Sequence, residues 1–429
     1  MKPSQPMRIV RVSTLKHPDV RAISSREPSP SPEISKAVKD ILAGVKLGGH
    51  AAALAYARRF DGLQGNLAVS QAELDRKADG LDPQVKKAIK GAIANVRRFH
   101  QRQTEKSWRF TGSDGEILGQ IIRPLQRVGL YVPGGAGSYP STLIMNAVPA
   151  RVAGVKEIAV VTPAAKGLHP AIAFAARELG IEEVYRIGGA QAVAMLAYGT
   201  KKVARVDKIV GPGNVYATLA KKEVFGTVDI DMIAGPSEIL VLADETADPD
   251  WVAADLLSQA EHGSGYEAAI CITTSAKAAA WIAACVAQQV ESSPKRALLE
   301  KCLTRFGRIY LVSDWRFGCA LADAIAPEHL EILTAKPESL AARIRNAGAI
   351  FLGSYSSEPV GDYFAGPNHV LPTNGSARFF SPLGTYDFYK RTSLISYTPK
   401  AIRKNGPLIA ALADAEGFHH HAQAVRKRL

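Results

Sequence analysis

The chain has 429 residues, 47% hydrophobic and 22% charged, with a formal net charge of +13 at pH 7. This is ordinary for a globular protein with a sizeable core, and the length admits about two to four domains. Apolar stretches are short or interrupted by charge, which excludes a membrane-spanning helix, and the polar start from Met1 to Arg26 lacks the apolar core of a secretory signal.

The positive charge lies in small scattered groups such as Arg97-Arg98, Lys201-Lys202 and Lys221-Lys222. No nucleic-acid motif accompanies them, so they read as a solvated surface that attracts anionic small molecules. The cysteines, Cys271, Cys285, Cys302 and Cys319, show no CxxC spacing. They read as reduced structural thiols of a cytoplasmic protein.

In chain order, residues 1–30 look irregular, and the Ser- and Pro-rich run from Ser24 to Pro32 looks like a linker. Helical spacing fills 33–61 and ends at Asp61-Gly62; it resumes over 71–106 with a break at Gly80-Leu81-Asp82-Pro83. Then short apolar runs bounded by Gly or Pro alternate with helices. Val128 to Val132, Ile158 to Thr162, Val184 to Ile187 and Lys208 to Val210 form one series. A second comprises Ile239 to Ala243, Ala268 to Thr273, Arg308 to Val312, Glu331 to Leu333 and Ala349 to Leu352. Such alternation predicts βαβ units and parallel sheets. From about 383 the sequence has helical stretches and a His-rich, basic tail.

Four Gly-rich turns follow strands: Pro133 to Gly137, Gly188 to Gln191, Gly211 to Asn214 and Ala234 to Ser237. Tight βα turns need glycine for steric reasons alone. Four of them together point to a ligand crevice at the carboxyl edge of a sheet, although neither GxGxxG nor a P-loop is present.

Gln259 and His262 end the apolar run Trp251 to Leu257 and share a helix face. An amide oxygen and an imidazole pointing the same way can be half of a zinc site. Carboxylates and imidazoles downstream, Asp362, Glu416 and His419-His420-His421, are candidates to complete it. Each also has a plain reading, as a surface residue, a polar-network member or a solvated tail, and spacing does not choose between them. Glu328-His329, just after Pro327, suits general acid–base work near neutral pH. A capping Glu and a packed His would look the same.

The residues in order resemble histidinol dehydrogenases from about residue 120 onward. The resemblance is carried by Val128 to Gly135, Tyr139-Pro140-Ser141, Ile187 to Ala192, Val206 to Asn214, Ile230 to Glu238, Asp255 to His262 and Asn368 to Thr373. The first hundred residues match loosely, chiefly at Arg59-Phe60-Asp61-Gly62. The resemblance implies an α/β fold of two intertwined Rossmann-like domains, a small N-terminal segment and a C-terminal, partly helical domain that crosses to the other subunit of a homodimer. The boundaries it suggests are 1–30 for the segment, 31–130 plus 237–382 for the first domain, 131–236 for the second and 383–429 for the C-terminal domain.

It further implies a zinc- and NAD-dependent oxidation of L-histidinol to L-histidine via histidinal, the last step of histidine biosynthesis, with one zinc ion per subunit. Gln259, His262 and Asp362 fall on zinc-ligand positions. The fourth ligand is a C-terminal His from the partner; Glu416 and Ala422-Gln423-Ala424-Val425 select His421 among the three. Glu328 and His329 fall on the acid–base pair. Ser237, His329, Asp362, Glu416 and His421, with Gln259 and His262, fall on substrate-contacting positions, and Tyr131, Gln191 and Asn214 on NAD-contacting ones. The chain departs from the family pattern at Gly49-His50-Ala51 and in its high charge. Both departures leave open a paralogue acting on another small alcohol, such as a sulfonated propanediol.

Overall fold

The computed structural model describes residues 6–24, 31–134, 137–165 and 167–429. It opens with β1 (Arg8–Arg11) and α1 (Pro18–Ser24), then α2 (Pro32–Asp61), α3 (Gln71–Asp79), α4 (Pro83–His100), β2 (Trp108–Thr111) and β3 (Ile117–Pro124). The first alternating series is β4 (Arg127–Tyr131), α5 (Pro140–Ala153), β5 (Glu157–Val161), α6 (Pro170–Glu178), β6 (Glu183–Tyr185), α7 (Gly189–Tyr198), β7 (Lys208–Val210), α8 (Val215–Val224) and β8 (Asp229–Ile230). The second is β9 (Glu238–Ala243), α9 (Pro249–Ala260), β10 (Ala268–Thr273), α10 (Ala276–Ser292), α11 (Arg296–Phe306), β11 (Gly307–Leu311), α12 (Trp315–Ile325), β12 (His329–Leu333), α13 (Pro337–Ala341) and β13 (Ala349–Leu352). The short helix α14 (Glu358–Val360), β14 (Tyr389–Ser396), α15 (Pro399–Ala415) and α16 (His419–Arg426) complete the chain.

The first series makes a five-stranded parallel sheet in the order β6-β5-β4-β7-β8, and the second, with β1, a six-stranded one in the order β1-β11-β10-β9-β12-β13. The inner strands of both are buried on two faces, which is why they read as continuous apolar runs. In β9, Ile239 and Val241 pack with α9–α11, while Leu240 and Leu242 pack with α1 and α12. Among the described residues no helix is long and apolar enough to cross a membrane.

The N-terminal residues differ from the irregular segment expected. Arg8–Arg11 adds an edge strand to β11 in register Arg8↔Arg308, and Asp19 on α1 receives Arg308 Nε at 2.9 Å. Residues 25–30 of the expected linker lie outside the described residues. β2, β3 and β14 form an antiparallel sheet that the sequence reading did not contain, with β14 and β3 in register from Tyr389↔Pro124 to Ser396↔Ile117. The helices of residues 31–100 also sit elsewhere than expected. α2 packs on α7 and α8, α3 on α6, and α4 on α5, so they cover the five-stranded sheet rather than the six-stranded one. α2 is kinked at Gly49, whose φ of 55° suits glycine, in the segment where the sequence departs from the family pattern.

At the amino edge of the five-stranded sheet, buried Arg127 donates two bonds of 2.6 Å to Glu183 and one of 3.1 Å to Glu157, tying β4, β5 and β6 together. The Arg127 guanidinium holds the Glu183 carboxyl below its usual range. A lowered folded-state value contributes stability above the unfolded value and loses it as pH falls through the folded one. Glu183→Gln is expected to cost about 1 kcal/mol at neutral pH, discounted because the carboxylate is half-exposed. In urea unfolding, the gap to wild type should close as the pH is lowered through the carboxylate range.

Candidate active site

β8 ends at Ile230 and β9 begins at Glu238, so the connection through Ala234-Gly235-Pro236-Ser237 runs from the carboxyl edge of one sheet to the amino edge of the other. Glu328 and His329 enter β12 beside β9, in register His329↔Ile239. Glu328 and His329 therefore sit at the amino edge of the six-stranded sheet, away from the carboxyl edge to which the glycine turns pointed. The backbone is turned into position by Ala326, buried and left-handed at φ 52° where it ends α12. A non-glycine residue there stores strain of order 1–3 kcal/mol, a pattern that clusters at functional sites.

Glu238 fixes both members of the pair. Its N–H donates to Glu328 Oε2 at 3.0 Å, and its own Oε1 accepts the N–H of Glu328 at 3.2 Å and of Asn374 at 2.8 Å. Its carbonyl oxygen lies 3.1 Å from His329 Nδ1. A carbonyl only accepts, so Nδ1 carries a proton and Nε2 is the nitrogen left to face the neighbouring carboxylates. Nε2 is buried, makes no hydrogen bond, and lies 3.5 Å from Asp362 Oδ1 and 4.0 Å from Glu358 Oε1.

Burial pushes the Glu328 carboxyl up to about 8. Burial would depress His329, but the carboxylates of Glu328, Asp362 and Glu358 outweigh it and push the imidazole up to about 10. Burial and the neighbouring Asp362 push Glu358 up to about 8. Asp362 is held well below its usual range: burial works against it, but His329 and His369 prevail.

His329, Glu358 and Asp362 form a metal-type cluster, with one ligand atom from each within 4.8 Å of the others. Glu358 was missing from the sequence reading. Its signal was its spacing, four residues before Asp362 and so on the same helical face. Glu358 is set by the buried Glu331, whose Oε1 accepts its N–H at 2.7 Å, and by Ser258 Oγ, which donates to Glu358 Oε2 at 3.2 Å. Glu331 in turn meets Asp255 of α9, and burial with that neighbour raises Glu331 well above its ordinary value.

One residue after Ser258, the Gln259 side chain is fully buried and neither its Oε1 nor its Nε2 has a hydrogen-bond partner among the described residues. An orphaned buried amide costs about 1–3 kcal/mol unless something else satisfies it. His262 is exposed, with Nδ1 3.2 Å from the Gln259 carbonyl oxygen, and the loop after it is pinned by buried Glu267, which accepts the N–H of Ser264 at 2.6 Å and of Gly265 at 2.7 Å. His369, also missed as a site residue, lies 2.9 Å through Nδ1 from the Asp362 carbonyl oxygen and feels the charge of both Asp362 and His262. Excess carboxylate, an unpartnered amide oxygen and nearby imidazoles together fit a divalent cation, and the mixed N/O donor set suits zinc.

Glu416 and His421 stand apart from this cluster. Both are exposed near the C-terminus, and the His421 ring rests 5.1 Å from that of Phe418. Ser237 is half-buried just before β9.

The carboxyl edge of the five-stranded sheet carries Tyr131, Gln191 and Asn214. Buried Tyr131 accepts the Gly189 N–H at 2.8 Å, and burial pushes its hydroxyl up to about 12. Gln191 Nε2 donates to Asp61 Oδ2 at 3.1 Å. Asn214 caps α8, its Oδ1 accepting two N–H groups at 3.1 Å, which is a structural role. Gly211, at φ 111°, is required between β7 and α8, because a Cβ there would lie 2.2 Å from the Tyr131 carbonyl oxygen. A cavity of about 690 Å³ opens beside this edge, lined in part by Phe60, Asp61, Pro133, Thr162 and Pro163. Gly135 and Ala136 of the first glycine turn lie outside the described residues.

Comparison with known proteins agrees with the site. The histidinol dehydrogenase family model matches residues 24–429. A histidinol dehydrogenase of Geobacillus kaustophilus is 51% identical over 400 residues, covering 92% of this chain and 94% of the relative. That of Bacillus subtilis is 49% identical over 399 residues, covering 92% and 93%. The crystal structure of histidinol dehydrogenase from Elizabethkingia anophelis superposes with a TM-score of 0.93 at 33% identity, covering 99% of this chain and 98% of that one. The motifs, the two parallel sheets and these whole-length matches agree: the chain belongs to the histidinol dehydrogenase family.

Proposed function

We propose that the protein is a cytoplasmic homodimer that oxidises L-histidinol to L-histidine through histidinal, with one zinc ion per subunit and NAD as oxidant, as the last step of histidine biosynthesis. The observation that carries this reading is the convergence of His329 Nε2, Glu358 and Asp362, with Ser258 bonded to Glu358 and the buried Gln259 amide, unpartnered among the described residues, following it in the chain. Zinc held by Gln259, His262, Asp362 and the partner subunit's His421 would supply an anchor for the substrate's amine and imidazole, with NAD as hydride acceptor.

His329 takes the hydroxyl proton at Nε2 as hydride leaves the carbinol carbon. This needs a neutral imidazole, whereas the surrounding carboxylates favour a protonated one. Positive charge at Asp362 would weaken that field and free Nε2. Glu328, raised towards neutrality by burial, then accepts a proton from the water that adds to the aldehyde. Loss of a second hydride from the hydrate gives the carboxylate. In balance, one histidinol, one water and two NAD give histidine, two NADH and three protons. Ser237 and the partner subunit's Glu416 contact the substrate's polar groups. The exposed apolar side chains Trp108, Phe110, Ile395, Leu408 and Leu412 on the C-terminal elements and their sheet support a subunit contact there. The free cysteines suit a reducing compartment.

The test is a spectrophotometric assay of NAD reduction by L-histidinol, with and without added zinc. Two NADH are expected per histidinol consumed, with the rate lost on chelation and restored by zinc. A zinc-loaded enzyme that leaves NAD oxidised in the presence of histidinol would reject the proposal.

A further inference from the structure

In a doubly wound dinucleotide-binding sheet, the carboxylate that grips the adenosine ribose stands about 20 residues beyond the first βα turn, at the end of the next strand. In the order β6-β5-β4-β7-β8 that neighbouring strand is β5. It ends in Val161-Thr162-Pro163-Ala164-Ala165, with no acid. The cavity at this corner is bounded by Pro133 and Gly134 after β4, by Thr162 and Pro163 after β5, and by Phe60 and Asp61 from the last turn of α2. Asp61 is the one acid among the described lining residues.

Asp61 is held firmly. Its Oδ2 accepts the Gly188 N–H and Gln191 Nε2, both at 3.1 Å, which joins it to the helix start that Tyr131 also contacts through Gly189. Gly62 closes α2 in the left-handed conformation immediately after it. Asp61 Oδ1 has no hydrogen bond among the described residues. Burial raises the carboxyl above its ordinary value, and the two N–H donors oppose that.

We propose that Asp61, donated by α2 rather than by the sheet, recognises the adenosine ribose: Oδ1 accepts a bond from a free 2′-hydroxyl, and its charge excludes a 2′-phosphate. Asp61 thus selects NAD over NADP. The inference rests on the dinucleotide reading of this edge, and it names the specificity residue that a bare list of glycine turns lacks.

The test is direct binding of NAD and of NADP, each titrated by calorimetry, to wild type, Asp61→Asn and Asp61→Ser, with thermal melts to verify folding. In both variants NAD should weaken and NADP gain relative to it, moving the ratio of the two Kd values by about tenfold or more. A residue that only props the helix start would weaken both dinucleotides alike and leave the ratio in place. An unchanged ratio in folded variants of a wild type that binds NAD overturns the assignment of Asp61. A wild type that binds neither dinucleotide overturns the reading of the edge itself, and this inference with it.

Discussion

His329→Asn is expected to lower kcat by roughly 10²–10⁴-fold while histidinol still binds, the range typical for loss of general acid–base assistance. The substitution isolates the chemistry. An asparagine amide can keep donating to the Glu238 carbonyl oxygen, as His329 Nδ1 does over 3.1 Å, so the start of β12 has no reason to shift. What disappears is the acceptor at Nε2, and no neighbour is placed to replace it. Glu328 Oε2 is engaged by the Glu238 N–H at 3.0 Å, and Glu358 and Asp362 are bound up with each other and with Ser258. Steady-state rates combined with equilibrium titration of substrate make the measurement. Turnover close to wild type would remove His329 from proton transfer, whereas loss of binding together with turnover would make it a substrate ligand instead.

The parallel sheets were legible because their inner strands bury both faces and their apolar runs are bounded by Gly or Pro. Ala268–Thr273 and Ala349–Leu352 begin and end where the apolar runs do. The antiparallel β2–β3–β14 sheet was not. Its strands are exposed or half-exposed and carry polar residues such as Gln120, Arg123, Lys390 and Arg391, and the pairing of β14 with β3 joins residues more than 250 positions apart. β1 is a four-residue edge strand with arginine at both ends, which resembles irregular polar chain. At the site, Gln259, His262, Glu328, His329 and Asp362 stood out by type and order. The edge they occupy did not, because a strand's apolar run does not reveal which end faces a ligand. Glu358 was hidden for a related reason. Glu358-Pro359 looks like an ordinary helix start, and only the fold-back of α14 onto Glu331 brings its carboxylate to His329.

The other large effect concerns the fourth zinc position. Gln259→Ala and His421→Ala are each expected to be nearly inactive alone, yet to regain about one quarter of wild-type activity when equal amounts are allowed to exchange subunits. The reasoning is geometric. His421 and Glu416 are exposed and separate from the cluster of their own chain, and they follow α15, on which Leu408 and Leu412 present uncovered apolar side chains. If a two-fold dimer brings the tail of each subunit to the other's cleft, a mixed dimer holds one site with Gln259 intact and an intact His421 from its partner, and a second site lacking both. Random exchange makes about half of the dimers mixed, and so about a quarter of the sites whole. Native mass spectrometry of the mixture establishes that exchange has occurred, and the histidinol assay reads the recovery. Full exchange without recovery would place all the ligands of each site in one chain and shift the fourth position towards Glu358 or His369, which with His329 border Asp362 in the same chain.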